Sequence, residues 1–171
     1  MKRLTLLVFV LLYLLNYKIF AANNFTLDSS AFTQNAMIPV QYTCNGSNQS
    51  PPLSWHNAPE KTQSFALIVE DPDAPGGVWT HWILFNIPAK ITSLDAGSPV
   101  PEGAANGQNS WGGLGYRGPC PPIGAHRYVF KLYALDKEIA VGDVTIRDVI
   151  LQAMTGHVIG STELVGLYQK Q

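Results

Sequence analysis

Charge is scarce and evenly divided in this chain: 11 Lys and Arg stand against 12 Asp and Glu in 171 residues, and no stretch concentrates one sign. A partner bound through its phosphate backbone needs a basic run or stripe, so nucleic acid is excluded. Cysteine is limited to Cys44 and Cys120, whose spacing matches no zinc ligand pair. Also missing are phosphate-cradling and dinucleotide glycine motifs, since the glycines from Gly107 to Gly118 do not open a predicted helix. Ser50 and Ser110 lie in polar loops outside any Gly-x-Ser-x-Gly elbow, which argues against a serine hydrolase. Beyond Ala22 no apolar run is long enough to span a membrane. Internal repeats and interdomain linkers are absent.

What remains is a chain that is 46% hydrophobic and 13% charged, the balance of one compact domain. Its first residues read differently. Lys2 and Arg3 precede an uncharged run from Leu4 to Leu15, and small residues Ala21 and Ala22 follow, the order found in a secretory signal. This divides the chain into a signal peptide over 1–21 and a domain over 22–171, periplasmic or secreted after cleavage. An uncleaved anchor over Leu4 to Ala22 is the alternative, with polar Asn16 and Lys18 counting against it. Cleavage removes three positive charges (Lys2, Arg3, Lys18) from a formal charge of -1, leaving -4. In an oxidising compartment Cys44 and Cys120 can form one disulfide, and two buried thiols is the other reading.

The patterning is mostly that of strands joined by proline- and glycine-rich loops. Ser64 to Glu70 is apolar on both faces, as expected of a strand between two layers. In His81 to Ile87, alternation places His81, Ile83, Phe85 and Ile87 on one face. Arg127 to Leu135 puts Tyr128, Phe130, Leu132 and Ala134 together. Shorter strands are predicted at Phe25 to Asp28, Gln41 to Thr43, Leu53 to Trp55 and Leu164 to Tyr168. One helix is predicted, capped by Asp143 or Thr145, carrying Ile146, Val149, Ile150 and Ala153 on one face and ending at Gly156. A short helical turn before the last strand is a further expectation, and Ala96 to Gly124 reads as one long loop. Together these give a mainly β fold, a β-sandwich or related antiparallel arrangement.

Two loops carry the chemistry. Asp71-Pro72-Asp73-Ala74-Pro75 leads to Trp79-Thr80-His81, and Gly118-Pro119-Cys120-Pro121-Pro122 leads to His126-Arg127-Tyr128. Each is a proline-stiffened loop delivering a histidine to the start of an apolar strand, which holds a side chain for a ligand at low entropic cost. If the strands are neighbours, Asp71, Asp73, His81 and His126 line one pocket. Two imidazoles there can donate to an anionic oxygen while a carboxylate fixes their tautomer. Backbone amides around Gly118 can add donors, and Trp79, Tyr116 and Tyr128 can wall the cavity. The same histidines and Asp71 could instead form a 2-His-1-carboxylate metal set. His56 and His157 read as structural, the latter near terminal carbonyls of the helix.

These segments resemble the signature regions of the phosphatidylethanolamine-binding proteins. Tyr42-Thr43-Cys44-Asn45-Gly46, Ser50-Pro51-Pro52-Leu53-Ser54-Trp55, Gly115-Tyr116 and Gly156-His157-Val158 narrow the resemblance to the bacterial YbhB/YbcL-like, or Raf kinase inhibitor-like, branch. The resemblance spans about Phe25 to Tyr168. It implies Greek-key connections, a few peripheral helices and a small anion pocket made by Asp71, His81 and His126. Asp73, Trp79, Gly118, Pro119 and Tyr128 would frame that pocket. The leading functional expectation is a non-catalytic binding protein without a cofactor or bound metal, taking a phosphate-bearing small molecule or phospholipid headgroup. Inhibition of a kinase or protease partner is the alternative function, a metal-dependent enzyme is a weaker one, and a homodimer through exposed aromatics stays open.

Overall fold

The structure, a computed structural model, describes residues 24–142 and 145–170. The expected signal segment over 1–21 and the expected cap Asp143 lie outside the described residues. Strands β1 (Thr26–Asp28), β3 (Leu53–His56) and β6 (Ser93–Leu94) form a small antiparallel sheet in the order β1-β3-β6. The larger sheet contains β2 (Ala36–Met37), β4 (Ser64–Asp71), β5 (Trp79–Pro88), β7 (Ala105–Asn106), β8 (Ala125–Leu135) and β9 (Val158–Gln169). Its order is β2-β9-β8-β4-β5-β7, antiparallel except where short β2 lies parallel to β9. The fold is therefore mainly β, with one α-helix, α1 (Arg147–Met154), among the described residues.

Strand β4 is the centre of the layering, and every one of its residues is buried. Phe65, Leu67 and Val69 face the small sheet, where they join Tyr128, Phe130 and Leu132 of β8 and Leu27, Leu53, Trp55 and Leu94 of the small sheet. Ala66 and Ile68 face the other way, onto Ile83, Phe85, Leu135, Ile139 and the α1 residues Ile150 and Met154. A strand with apolar neighbours on both sides must be apolar on both faces, which is why its sequence shows no alternation. On the helix side, buried Glu70 accepts a hydrogen bond from Lys131 Nζ at 2.7 Å and pairs with Arg147 of α1. This buried carboxylate is thus charge-compensated from both the sheet and the helix.

Strict alternation fails along β5 because the strand carries two bulges. Val69 pairs with Trp82 and Glu70 with Thr80, leaving His81 as an extra residue. A bulge re-aims the side chains around it, and His81 accordingly packs at 5.1 Å from the Tyr128 ring on the small-sheet side. Near the other end, Phe65 pairs with Ile87 and Leu67 with Leu84. Asn86 there adopts φ 55° and exchanges two hydrogen bonds with the backbone of Ile139. Ile87 consequently joins Trp82 and Leu84 in the larger core, while Ile83 and Phe85 face the helix. The predicted common face for His81, Ile83, Phe85 and Ile87 is corrected accordingly.

Other expectations change for local reasons. Val40–Tyr42 forms a 3₁₀ turn, not a strand, closed by the Thr43 amide and hydroxyl on the Val40 carbonyl. Thr145 does not cap α1; its hydroxyl donates to the Gly142 carbonyl, and Ile146 occupies the cap with its side chain exposed. The segment predicted to hold a helical turn before the last strand is strand instead, because β9 starts at Val158 and pairs along β8. The long loop of 96–124 contains the short strand β7. His157 bonds through Nδ1 to Asp136 Oδ1 at 3.0 Å rather than capping helix carbonyls with its ring.

Cys44 and Cys120 are joined in a disulfide, which settles the choice between bridge and thiols. It ties the segment after the 3₁₀ turn to the loop preceding β8. Beside it the Cys44 amide donates to the Pro119 carbonyl at 3.0 Å. The bridge spans a sequence separation of 76, and chain-entropy arguments assign such a loop a stabilisation of about 4 kcal/mol. Cys44→Ser with Cys120→Ser is expected to lower the unfolding free energy by up to that amount in urea denaturation. An unchanged midpoint would show that the bridge does not constrain the unfolded chain.

Candidate functional site

Antiparallel pairing brings the end of β4 beside the starts of β5 and β8. Asp71, His81 and His126, distant in sequence, therefore meet at one end of the large sheet. Asp71 continues the Phe65, Leu67, Val69 face and His126 continues the Tyr128, Phe130 face, while the bulge turns His81 to the same side. All three are buried, at 4%, 2% and 7% relative exposure, which is unusual for ionisable groups and requires partners.

The partners are specific. His126 Nδ1 lies 2.7 Å from Asp71 Oδ2, and Asp71 Oδ1 accepts the Asp73 amide at 2.9 Å. His81 Nδ1 lies 2.6 Å from the Arg117 carbonyl, and the Arg117 amide returns a bond to the His81 carbonyl at 3.0 Å. A carbonyl and a carboxylate can only accept, so Nδ1 carries the proton in both rings. In the neutral imidazole Nε2 then bears a lone pair, and it donates only when the ring is protonated. Neither Nε2 has a hydrogen-bond partner among the described residues. Burial lowers the pKa of His81 from its ordinary 6.5, with the Arg117 carbonyl and the Asp71 charge acting in the opposite direction.

Tyr128 lies between these groups and is itself buried, its hydroxyl without a hydrogen-bond partner among the described residues. Burial, and then the Asp71 charge, push its pKa upward, so it keeps its proton and remains a potential donor. Trp79 and Trp111, both at 36% exposure, stack edge to face at 5.3 Å, and Trp111 sits 4.9 Å from the His81 ring. Tyr116 stands further off, against Trp82, and its hydroxyl donates to the Tyr42 carbonyl at 2.7 Å.

Two expected contributors have other partners. Asp73 takes the Arg127 guanidinium through both carboxylate oxygens, at 2.9 and 2.6 Å, and the Arg127 amide at 3.0 Å. These bonds to Arg127 lower the Asp73 pKa to about 2. Asp73 thus fastens its loop to β8 rather than orienting an imidazole. The Gly118 amide is likewise engaged, donating to Asn48 Oδ1 at 2.8 Å, and Pro119 has no amide hydrogen. Glycine is required at 118 because a Cβ would lie 2.5 Å from the Tyr42 carbonyl oxygen and 2.8 Å from Thr43 Cα. Gly118 and Pro119 therefore frame the site by close backbone packing and not as anion donors.

Sequence reasoning missed Trp111, Arg117 and Asn109. Asn109, buried in the long loop, donates to the Gly115 carbonyl at 3.1 Å and accepts the amides of Trp111 and Gly113. A loop of this kind has no periodicity to betray its contacts. No group of three His, Cys, Asp or Glu residues is arranged to hold a metal ion among the described residues. Both oxygens of Asp71 are engaged by hydrogen bonds, which makes it a poor third ligand.

Because folding lowers the His81 pKa, the unfolded chain takes up a proton there more readily. The stability this residue contributes is present above its ordinary 6.5 and declines as pH falls below that value. The unaltered protein is therefore expected to lose more stability between about pH 7.5 and pH 5 than His81→Gln, read by urea denaturation at each pH. Parallel losses would remove His81 as the source.

The sequence model of the family described as phosphatidylethanolamine-binding protein matches residues 28–169. A UPF0098 protein of Methanothermobacter thermautotrophicus is 49% identical over 148 residues, covering 84% of this chain and 98% of that protein. A UPF0098 protein of Aquifex aeolicus is 40% identical over 167 residues, covering 92% and 96%. A Chlamydia trachomatis crystal structure, described as a putative phosphatidylethanolamine-binding protein homolog, is similar with a TM-score of 0.83 at 40% identity, covering 88% of this chain and 100% of that one. Escherichia coli YbcL, described as a new member of the mammalian family, gives 0.80 at 34% identity, covering 86% and 99%. With this profile match and these relatives, the chain belongs to the phosphatidylethanolamine-binding protein family.

Proposed function

We propose that this protein is a non-catalytic binding protein that captures the phosphate group of a small molecule or phospholipid headgroup between His81 and His126, and that it acts outside the cytoplasm after export. The observation that carries the reading is the pair of buried imidazoles whose Nδ1 atoms are committed, one to Asp71 and one to the Arg117 carbonyl. Each ring is held rigidly with one nitrogen left for a ligand. Protonation turns that nitrogen into a charged donor, and the Tyr128 hydroxyl adds a neutral one. A group with several acceptor oxygens suits such donors. Export is supported by the Cys44–Cys120 disulfide, which persists in oxidising compartments, and by the N-terminal sequence pattern.

A second reading, inhibition of a partner enzyme through the surface around the pocket, is favoured by exposed apolar residues near it. Trp79, Trp111, Leu114 and Ile123 are exposed, Ile123 by 85%. Of these, Trp79 and Trp111 touch each other and Trp111 touches His81, and exposed aromatic surface of this kind suits a protein partner as well as a headgroup. Its occupant would be found by pull-down from the compartment to which the protein is exported.

Calorimetric titration with phosphoethanolamine and with inorganic phosphate tests the leading reading. His126→Ala and Asp71→Ala are each expected to weaken binding about tenfold or more, the scale of one charge-assisted hydrogen bond, at a temperature where circular dichroism shows each variant folded, since losing one partner of the buried pair also lowers stability. Affinity is also expected to fall with rising pH, because each ring donates through Nε2 only while protonated. Unchanged affinity in both variants would remove these residues from the site, and a flat pH profile would remove imidazolium as the donor.

A further inference from the structure

The geometry of the two imidazoles raises a question of charge. Both rings present lone pairs when neutral, and burial favours the neutral form of His81. Asp71 adds a buried negative charge beside them. With His81 favoured in its neutral form and Asp71 buried beside it, an anion near neutral pH is held better by a cation that does not titrate. Of the three arginines at this end of the sheet, Arg147 pairs with Glu70 on the helix side and Arg127 is neutralised by its two-pronged pairing with Asp73. Arg117 forms no ion pair among the described residues.

The Arg117 guanidinium instead lies over the Trp111 ring, its carbon 4.6 Å from the centroid. Trp111 in turn packs edge to face on His81 at 4.9 Å. The Arg117 backbone is locked to His81 by two hydrogen bonds, one in each direction. The charge is therefore carried on a side chain whose root is fixed against the imidazole and whose guanidinium carbon sits over an aromatic ring. The guanidinium spends no N–H on a hydrogen bond or ion pair among the described residues, which leaves its donors for phosphate oxygens. The Arg117 charge is already felt at His81, where it opposes protonation.

We infer that Arg117 is the fixed positive charge of this site, bonding phosphate oxygens that the imidazoles do not reach. The inference rests on the anion-binding reading and deepens it: Arg117 supplies the part of the affinity that survives at neutral pH, and the histidines add the part that grows in acid. The other ionisable groups around the site are Asp71 and Glu70 of β4, Asp73 in the adjoining loop, His126, Arg127 and Tyr128 of β8, and Tyr168 of β9, which pairs with His126 and bonds Asn45. Asp73 and Arg127 cancel each other, Glu70 is paired on the opposite face, and Tyr128 stays neutral.

Titration calorimetry with inorganic phosphate at about pH 7.5 and about pH 5.5, at two salt concentrations, tests this in the full domain. Arg117→Gln is expected to bind about tenfold or more weakly at the higher pH, as for loss of a charge-assisted bond. Its affinity should also depend less steeply on salt, with a smaller deficit at the lower pH. Arg117→Lys should fall between the two, keeping charge but losing the planar fork. Because the side chain is outside the core, a circular dichroism spectrum matching the unaltered protein is expected for both variants. If the unaltered protein binds phosphate and Arg117→Gln binds within about threefold of it with the same salt dependence, the role of Arg117 is overturned while the anion site stands. If the unaltered protein binds no phosphate at either pH, the anion reading fails and this role fails with it.

Discussion

The bond between His126 Nδ1 and Asp71 Oδ2 is the interaction on which the site depends. It joins the two central strands of the large sheet at the end where their faces run out of apolar partners. On the same face, the line of Phe65, Leu67 and Val69 ends in Asp71, and the line of Phe130 and Tyr128 ends in His126. Burying either group alone would leave an uncompensated polar atom or charge, so each makes the other tolerable. The pair also fixes which imidazole nitrogen faces away from the carboxylate.

The rest of the local structure holds that geometry in place. The bulge at His81 turns a second imidazole to the face where the first one sits, and the Arg117 carbonyl fixes its tautomer as Asp71 fixes that of His126. Behind them the loop from Gly107 to Gly124 is held by tertiary bonds rather than by regular structure. Asn109 ties its turns together, Ser110 exchanges backbone and side-chain bonds with Thr80, and Gly118 packs where no Cβ fits. The disulfide closes the same region from the other side. Preorganisation of this kind lowers the entropy that a ligand must remove on binding.

Much of this was legible in the residues. A strand as uniformly apolar as Phe65 to Val69 can only lie between two layers, and proline-framed histidines ahead of apolar strands mark their own importance. The sheet end that unites them was not legible, because pairing order is a property of the whole chain. Alternation misplaced Ile87 and His81 because each bulge adds one residue and reverses the faces beyond it. The Gly118 amide looked free and Asp73 looked like an orienting carboxylate, yet Asn48 and Arg127, distant in sequence, take them. Arg117 and Trp111 carried no signal because their roles arise only from how an aperiodic loop folds against His81.

The central claim is that two rings with Nδ1 committed receive one anion through Nε2, taking up protons as they do. Nitrogen-15 NMR of imidazole-labelled protein, titrated with inorganic phosphate at about pH 6, where imidazoles take up protons, addresses it most directly. The account expects protonated Nδ1 on both His81 and His126, lone-pair Nε2 on His81 before phosphate is added, and Nε2 resonances moving toward the protonated form as it binds. Binding of phosphate with both Nε2 resonances unmoved, or a neutral ring that carries its proton on Nε2 in place of Nδ1, would contradict it.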